Sequence, residues 1–320
     1  MGATTQIAWC DSTWNPWHGC RKVSQGCSQC YMYRDKKRYG QDPTQVVRAQ
    51  HATFTVPLRW ERAAAKTGKS HRVFTCSWSD FFIKEADSWR DEAMVIMALT
   101  PHLTYQVLTK RPERMLAYLT PWRGSPPPSP DLAMQYWRDR LETKAYRMFG
   151  EKGECAVANA ISGCLAAGHN VGWPFQHVWL GVSVEDQVTA EERIPLLLQT
   201  PAAKHFISYE PALESVNFAN LLTPDGYCNM LTGLFASKDG CQPPLDWVII
   251  GGESGPKGRP FDLAWARQTI AQCRAATVPV FVKQLGACPM EEGRVVPLRH
   301  RAGTDPLEWP PDLRLQEFPA

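Results

Sequence analysis

Three cysteines lie close together near the start of the chain, in the segment TWNPWHGCRKVSQGCSQCYMYR. Six residues separate Cys20 from Cys27, and two separate Cys27 from Cys30. Thiolates grouped in this way bind a metal ion or an iron–sulfur cluster. Gly19 and Gly26 allow the backbone to turn tightly around a bulky inorganic group. This loop is therefore the first candidate for chemistry in the chain.

The three cysteines admit more than one interpretation. A structural zinc site needs four ligands, and only Cys27 and Cys30 have the spacing of a zinc knuckle, so His18 or Cys10 would have to complete it. Packing of three thiols in a loop rich in glycine and polar residues is the weakest alternative. A [4Fe–4S] cluster held by three cysteines leaves one iron without a protein ligand, which suits catalysis.

Composition narrows the protein class. The chain has 320 residues, of which 11 are cysteines, and its first residues lack the pattern of a secretory signal. We therefore expect a cytoplasmic protein whose thiols are reduced, metal-bound or catalytic. The apolar runs are too short to span a bilayer, so we expect no membrane association. A net charge of +3 does not by itself indicate nucleic-acid binding, and the basic run at 34–40 is an ordinary solvated surface or a phosphate contact.

The elements that must position the cysteines follow an α/β pattern. Short runs rich in β-branched and aromatic residues alternate with amphipathic helical segments, as expected for a parallel sheet covered on both faces. The predicted strands are 52–56, 72–77, 105–109, 178–183, 205–210, 247–252 and 280–285. The predicted helices include 87–100, 132–149, 190–199 and 263–276. This alternation predicts a partial (β/α)6-type barrel, similar to a TIM barrel, with the three-cysteine loop near its N-terminus.

Two stretches interrupt the alternation. One contains the proline-rich segment 120–131 and extends over about 121–175, and the other covers about 214–245. We interpret both as insertions into a single domain spanning 1–320. Cys155, Cys164, Cys228 and Cys241 lie within these insertions, at spacings that match no common metal site.

Polar side chains collect where the predicted strands end. In parallel α/β barrels the active site forms at the carboxyl ends of the strands, although strands also give way to polar loops without any function. The strand-end residues are Ser77, Ser79, Asp80, Thr109, Lys110, Arg111, Ser183, Glu185, Glu210, Glu253, Lys283 and Gln284.

The cysteine loop resembles that of radical S-adenosylmethionine (SAM) enzymes of the spore photoproduct lyase-like branch. The shared features are the order Asn-Pro-aromatic-x-Gly-Cys, a Gly-Cys-x-x-Cys-Tyr segment and the following arginine, here Arg34. That branch has three residues between its first two cysteines, whereas this chain has six. The segment at 72–82, RVFTCSWSDFF, is similar to the second strand of that branch.

Most of the chain also resembles the phage Gp37/Gp68 family, a group of unknown function with a three-cysteine motif. Its recurring segments are matched here by TWNPWHGC, CSWSDFF, QVLTKRPERM, VWLGVSVEDQ, WVIIGGESGPKGRP and FVKQLG.

The radical SAM resemblance implies a mechanism. It implies that Cys20, Cys27 and Cys30 hold a [4Fe–4S] cluster, that SAM binds its open iron, and that an external electron donor is needed. A nucleic acid or a nucleotide is the candidate substrate. Among the strand-end residues, we expect Ser77, Ser79, Asp80 and Glu185 to bind SAM, and Lys110 or Arg111 to pair with its carboxylate.

Two alternatives remain at this point. The chain is a non-catalytic zinc- or cluster-binding phage accessory protein, or a barrel enzyme with an ordinary acid–base pair such as Glu210 and Lys283. The GGESG segment at 251–255 is either a ligand-facing turn or a strand-to-loop transition in which Glu253 pairs with Arg259.

Overall fold

A computed structural model describes residues 5–121, 130–166, 175–224, 226–235 and 242–320. Most of the predicted linker at 120–131 lies outside these residues, as do Cys241 and the side chain of Cys164. The strands are β1 (Ser12–Trp14), β2 (Trp17–His18), β3 (Val47–Arg48), β4 (His71–Thr75), β5 (Leu103–Thr109), β6 (Val178–Val184), β7 (His205–Tyr209), β8 (Leu221–Thr223), β9 (Gly226–Asn229), β10 (Leu234–Phe235), β11 (Trp247–Gly251), β12 (Phe261–Asp262), β13 (Val280–Gln284), β14 (Pro289–Glu291) and β15 (Arg294–Val295).

Helices alternate with these strands over most of the described chain. They are α1 (Tyr31–Arg38), α2 (His51–Phe54), α3 (Pro57–Thr67), α4 (Asp87–Ala98), α5 (Pro112–Leu119), α6 (Pro130–Phe149), α7 (Glu151–Ala166), α8 (Gln187–Leu198) and α9 (Leu263–Ala275). No helix in the described ranges combines the length and apolar character needed to cross a membrane.

The main sheet confirms the α/β prediction. Its strand order is β1-β4-β5-β6-β7-β11-β13. The pairs β1–β4, β4–β5, β7–β11 and β11–β13 are all parallel. Six of the seven predicted strands form here with ends that differ by no more than two residues. The predicted helices at 87–100, 132–149, 190–199 and 263–276 correspond to α4, α6, α8 and α9.

One predicted strand is wrong. Residues 51–54 form the short helix α2 instead, although the run ATFTV is rich in β-branched residues. Phe54 is fully buried, its ring lies edge-on to Trp14, and its carbonyl accepts a hydrogen bond from Trp14 Nε1 at 3.1 Å. Tertiary packing on Trp14 thus overrides the local propensity. The edge strand β1, which contains Trp14, was not among the predicted strands.

The chain divides into two compact units. Unit 1 comprises Met1–Arg21, Pro43–Leu180 and Thr200–Lys204, and unit 2 comprises Lys22–Asp42, Gly181–Gln199 and His205–Ala320. The single-domain organisation stays a prediction.

In unit 1, α3 packs against β5 and α4, and α6 packs against α4. Leu103, Tyr105 and Val107 of β5 are essentially inaccessible to solvent. Trp137 of α6 is buried and its ring lies edge-on to Tyr118 of α5. The segment predicted as the first insertion therefore contributes a helix to this core.

Unit 2 has a core formed by β7, β11 and β13. Trp247 is fully buried, and its ring packs against Phe206 and Phe281. Gly181 of β6 lies so close to this core that a Cβ atom would stand 2.5 Å from the ring of Phe206. A side chain at position 181 therefore has no space. The second predicted insertion contains the antiparallel sheet β10-β9-β8.

Candidate functional site

The carboxylate of Asp80 organises the strand-end residues of unit 1. It lies in the loop after β4 and is buried. Its oxygens accept hydrogen bonds from Thr109 Oγ1 at 2.7 Å, from the backbone N–H of Lys110 at 2.9 Å and from that of Phe82 at 2.9 Å. Arg111 Nη1 lies 2.9 Å from the same carboxylate. Asp80 therefore joins the ends of β4 and β5, as the strand-end pattern predicts.

Arg111 connects this carboxylate to the first cysteine. Its Nη2 donates to the carbonyl of Arg21 at 2.8 Å, and its Nη1 lies 4.0 Å from Cys20 Sγ. Burial disfavours the charged guanidinium, but the charges of Asp80 and Cys20 outweigh burial and raise the pKa of Arg111. The guanidinium is thus a fixed positive charge beside the Cys20 sulfur.

Hydrogen bonds also fix the backbone before Cys20. The side chain of Asn15 donates to Ser77 Oγ at 3.0 Å and accepts from the Trp78 N–H at 2.7 Å. Ser79 Oγ donates to the carbonyl of Gly19 at 2.6 Å. Gly19 has φ +94°, and a Cβ atom there would collide with the Gln45 carbonyl. The predicted SAM-binding serines thus also hold the start of the cysteine loop.

The other two cysteines belong to unit 2. Cys27 ends a short 3-10 turn at Gln25–Cys27, and Cys30 is the residue immediately before α1. Ser24 Oγ lies 3.9 Å from Cys27 Sγ. The carbonyl of Cys30 accepts a hydrogen bond from the Arg34 N–H of α1 at 3.3 Å. Both thiols are partly exposed, and neither is in a disulfide.

A buried ion pair supports this part of the loop. Glu185, which follows β6, has no solvent-exposed side-chain surface, and its oxygens lie 3.1 and 3.2 Å from Arg193 Nη1. Ser24 Oγ donates to Glu185 Oε1 at 3.0 Å. A Cβ atom on Gly26 would stand 2.5 Å from Glu185 Oε1. The carboxylate therefore occupies the space that the missing side chain of Gly26 leaves.

The local sequence explains why Arg193 and Glu185 meet. Asp186 and Thr189 form a capping box that starts α8 directly after Glu185. Arg193 lies two turns into that helix, on its buried face, and also donates to the Ser183 carbonyl at 2.8 Å. Sequence reasoning missed Arg193. The available signal was a lone arginine in the apolar helical run RIPLLL, because such a residue requires a buried partner.

Unit 2 has a second polar cluster, at the ends of β7 and β13. Lys283 Nζ donates to both oxygens of Glu210, at 2.6 and 2.8 Å, and Gln284 Nε2 donates to Glu210 at 3.1 Å. Near the end of β11, Arg259 forms a two-pronged ion pair with Glu253 at 2.7 and 2.9 Å. The predicted Glu253–Arg259 pair is therefore present.

The remaining cysteines differ in their surroundings. Cys76 follows β4 in a left-handed conformation with φ +64° and is buried, and burial together with the Asp80 charge raises the pKa of its thiol. Cys228 is buried and Cys155 is exposed. Across the described part of the chain, no three His, Cys, Asp or Glu side chains form a ready-made metal-binding group. The cluster site at Cys20, Cys27 and Cys30 stays a prediction, as does the SAM-binding role of Ser77, Ser79, Asp80, Lys110 and Glu185.

Comparison with known proteins decides the family. A family model described as "Protein of unknown function (DUF5131)" matches residues 4–306. The chain belongs to this family. No curated protein and no solved structure matches it. The match of this DUF5131 member includes the cysteine loop and every strand of the main sheet.

Proposed function

We propose that this chain is a radical SAM enzyme in which Cys20, Cys27 and Cys30 ligate a [4Fe–4S] cluster. One observation carries the proposal: three cysteines follow an Asn-Pro-Trp-x-Gly motif and precede a Tyr and an Arg, as in the spore photoproduct lyase-like branch, with six residues instead of three between the first two cysteines. None of the three thiols is in a disulfide, and none belongs to the buried core. Soft, partly exposed sulfur donors suit an iron–sulfur cluster.

A cluster held by Cys20, Cys27 and Cys30 would supply one-electron reductive cleavage of SAM, and through it hydrogen abstraction from a substrate, with the electron coming from an external donor. The chain's own residues orient the loop. Arg111, held by Asp80, places a positive charge beside Cys20, and Glu185 supports the turn at Gly26. A cation near a thiolate ligand stabilises the more reduced, more negative form of a cluster.

The same proposal includes the barrel, the SAM-binding residues and the cellular compartment. We further propose that the parallel sheet is part of a partial (β/α)6-type barrel, and that Ser77, Ser79, Asp80, Lys110 and Glu185, near the carboxyl ends of its strands, would bind SAM. The family corresponds to the phage Gp37/Gp68 group. The protein works in the cytoplasm, where thiols stay reduced, and its substrate is a nucleic acid or a nucleotide.

Anaerobic reconstitution tests the cluster. We expect wild-type protein incubated with iron and sulfide to take up about four irons per chain, as a [4Fe–4S] cluster requires, and to form 5′-deoxyadenosine from SAM and dithionite. Replacing Cys20, Cys27 or Cys30 with Ser removes a ligand, so iron content falls and SAM cleavage stops. The control is Cys155→Ser, which removes an exposed thiol outside the loop. Unchanged iron content in the three loop variants contradicts the proposal.

Two outcomes favour the alternatives. Zinc in the protein, with no SAM binding by calorimetry, supports a non-catalytic metal-binding accessory protein. The Glu210–Lys283 contact at 2.6 Å favours an acid–base enzyme as the second candidate, because it pairs a carboxylate with an ammonium group at two strand ends. That candidate predicts an activity that survives loss of all three loop cysteines and is lost in Glu210→Gln.

A further inference from the structure

Unit 2 contains a pocket of about 290 Å³ between α1 and the turn that follows β11. Four basic residues line it: Lys22, Arg34, Lys37 and Lys257. Cys30 forms part of its wall. No carboxylate is among the described residues that line the pocket. Positive charge therefore collects in a concave site beside a loop cysteine.

These cations are poorly neutralised. Among the described residues, neither Lys37 nor Lys257 has an ion-pair partner. The only ion-pair partner of Arg34 among the described residues is the neighbouring Asp35, at 3.4 Å, and the arginine side chain is half exposed. Lys22 Nζ donates to the Ser28 carbonyl at 3.0 Å and lies 5.0 Å from the centre of the Tyr33 ring. Positive charges held together with so little neutralisation favour the binding of an anion.

The backbone of the turn accommodates the arginine. Gly255 has φ +125°, a conformation that residues with side chains rarely adopt, and a Cβ atom there would stand 2.6 Å from Arg34 Nη1. The N–H of Gly258 closes the turn on the Gly255 carbonyl at 3.0 Å. The guanidinium therefore lies close to the peptide backbone of the turn, and the positive φ at position 255 favours glycine there.

We propose that this pocket binds a phosphate group of a nucleotide or of a nucleic-acid strand. A guanidinium flanked by ammonium groups matches the shape and charge of a phosphate. The volume is close to the lower limit of small-molecule sites, which suits one nucleotide unit. Tyr31 at the start of α1 and Tyr39 immediately after its end are 37% and 70% exposed, and an exposed aromatic ring can stack on a base.

The assignment of this ligand as the substrate rests on the proposed function. Because Cys30 lines the pocket, a phosphate bound there lies next to a proposed cluster ligand. Phosphate binding itself needs no cluster, so the two proposals fail separately. Wild-type protein that binds phosphate ligands but takes up no iron contradicts only the proposed function.

The test compares two double variants of equal net charge. Lys37→Gln/Lys257→Gln removes two pocket cations, and Lys66→Gln/Lys152→Gln removes two exposed lysines from α3 and α7. Binding of a fluorescein-labelled 12-nucleotide single strand is measured by anisotropy at several salt concentrations. Thymidine monophosphate and SAM serve as competitors, and circular dichroism checks that all variants are folded.

We expect the pocket variant to bind the strand about tenfold more weakly than wild type, which corresponds to about 1.4 kcal/mol. The plot of log binding constant against log salt concentration should become less steep by about 1.4, because two phosphate contacts with a single strand are lost. The control variant should match wild type. If thymidine monophosphate displaces the labelled strand with an affinity similar to that of the strand itself, the ligand is a nucleotide. If only unlabelled strand displaces it, the ligand is a nucleic acid.

Three results overturn the inference. The first is a wild-type protein that binds neither the strand nor the nucleotide. The second is an equal loss of binding in both double variants, which indicates a general charge effect. The third is a pocket variant that loses SAM binding and keeps phosphate binding, because the pocket then holds the carboxylate of SAM.

Discussion

Replacing Arg193 with Met should destabilise unit 2 strongly, because it leaves Glu185 buried without its counter-charge. The Glu185 side chain is 0% exposed and that of Arg193 is 7% exposed. Removing one partner of a buried ion pair costs about 3–5 kcal/mol, since the remaining charge cannot be solvated. Typical domains have only about 5–15 kcal/mol of stability in total. The Arg193→Met variant should therefore unfold at a much lower urea concentration than wild type.

A double-mutant cycle isolates the pair interaction. Glu185→Gln removes the charge but keeps an oxygen that can accept the hydrogen bond from Ser24. Glu185→Gln/Arg193→Met has no buried charge at this site, so we expect it to regain about 2–3 kcal/mol relative to the sum of the single variants. Free energies of unfolding come from urea titrations followed by tryptophan fluorescence and circular dichroism.

Arg267→Met is the matched control. This arginine also contacts two carboxylates, Glu291 and Asp312, but its side chain is 38% exposed. We expect a loss below about 1 kcal/mol, as for other solvated ion pairs. The reasoning is refuted if Arg193→Met costs no more than this control, or if the two changes at Glu185 and Arg193 are additive.

Three further predictions concern pH, a strand-end carboxylate and a glycine. Burial lowers the pKa of His177, so as pH drops below about 6.5 this histidine is protonated more readily in the unfolded chain, and the free energy of unfolding should fall. His177→Gln should reduce the dependence of the unfolding free energy on pH between about pH 7 and 5. An unchanged pH dependence in this variant contradicts the prediction. Asp80→Asn removes the carboxylate that forms the ion pair with buried Arg111 and should cost about 3 kcal/mol in urea titrations; a loss below about 1 kcal/mol is evidence against this reasoning. Gly26→Ala forces a methyl group onto Glu185 and should cost about 1–3 kcal/mol, measured in the same way. If the variant is as stable as wild type, position 26 and the Glu185 carboxylate are not in close contact.

The sequence by itself determined the fold class and most of the strands. Runs such as WVIIGG are apolar over their full length, and a strand buried on both faces needs such a run wherever it lies in the sheet. The cysteine loop was also evident, because its three thiols, its glycines and its flanking motif are contiguous. Properties that depend only on neighbouring residues can be inferred from the order of those residues.

Only the tertiary structure decided which polar groups meet. Asp80 contacts Arg111 and Glu185 contacts Arg193, but no local pattern names these partners, since each depends on where a strand ends and which face of a helix is buried. Residues 51–54 are helical because Phe54 packs on Trp14, about forty positions away, against the propensity of its own segment. Long-range packing sets these contacts, and their energies exceed the local preferences from which a sequence prediction is made.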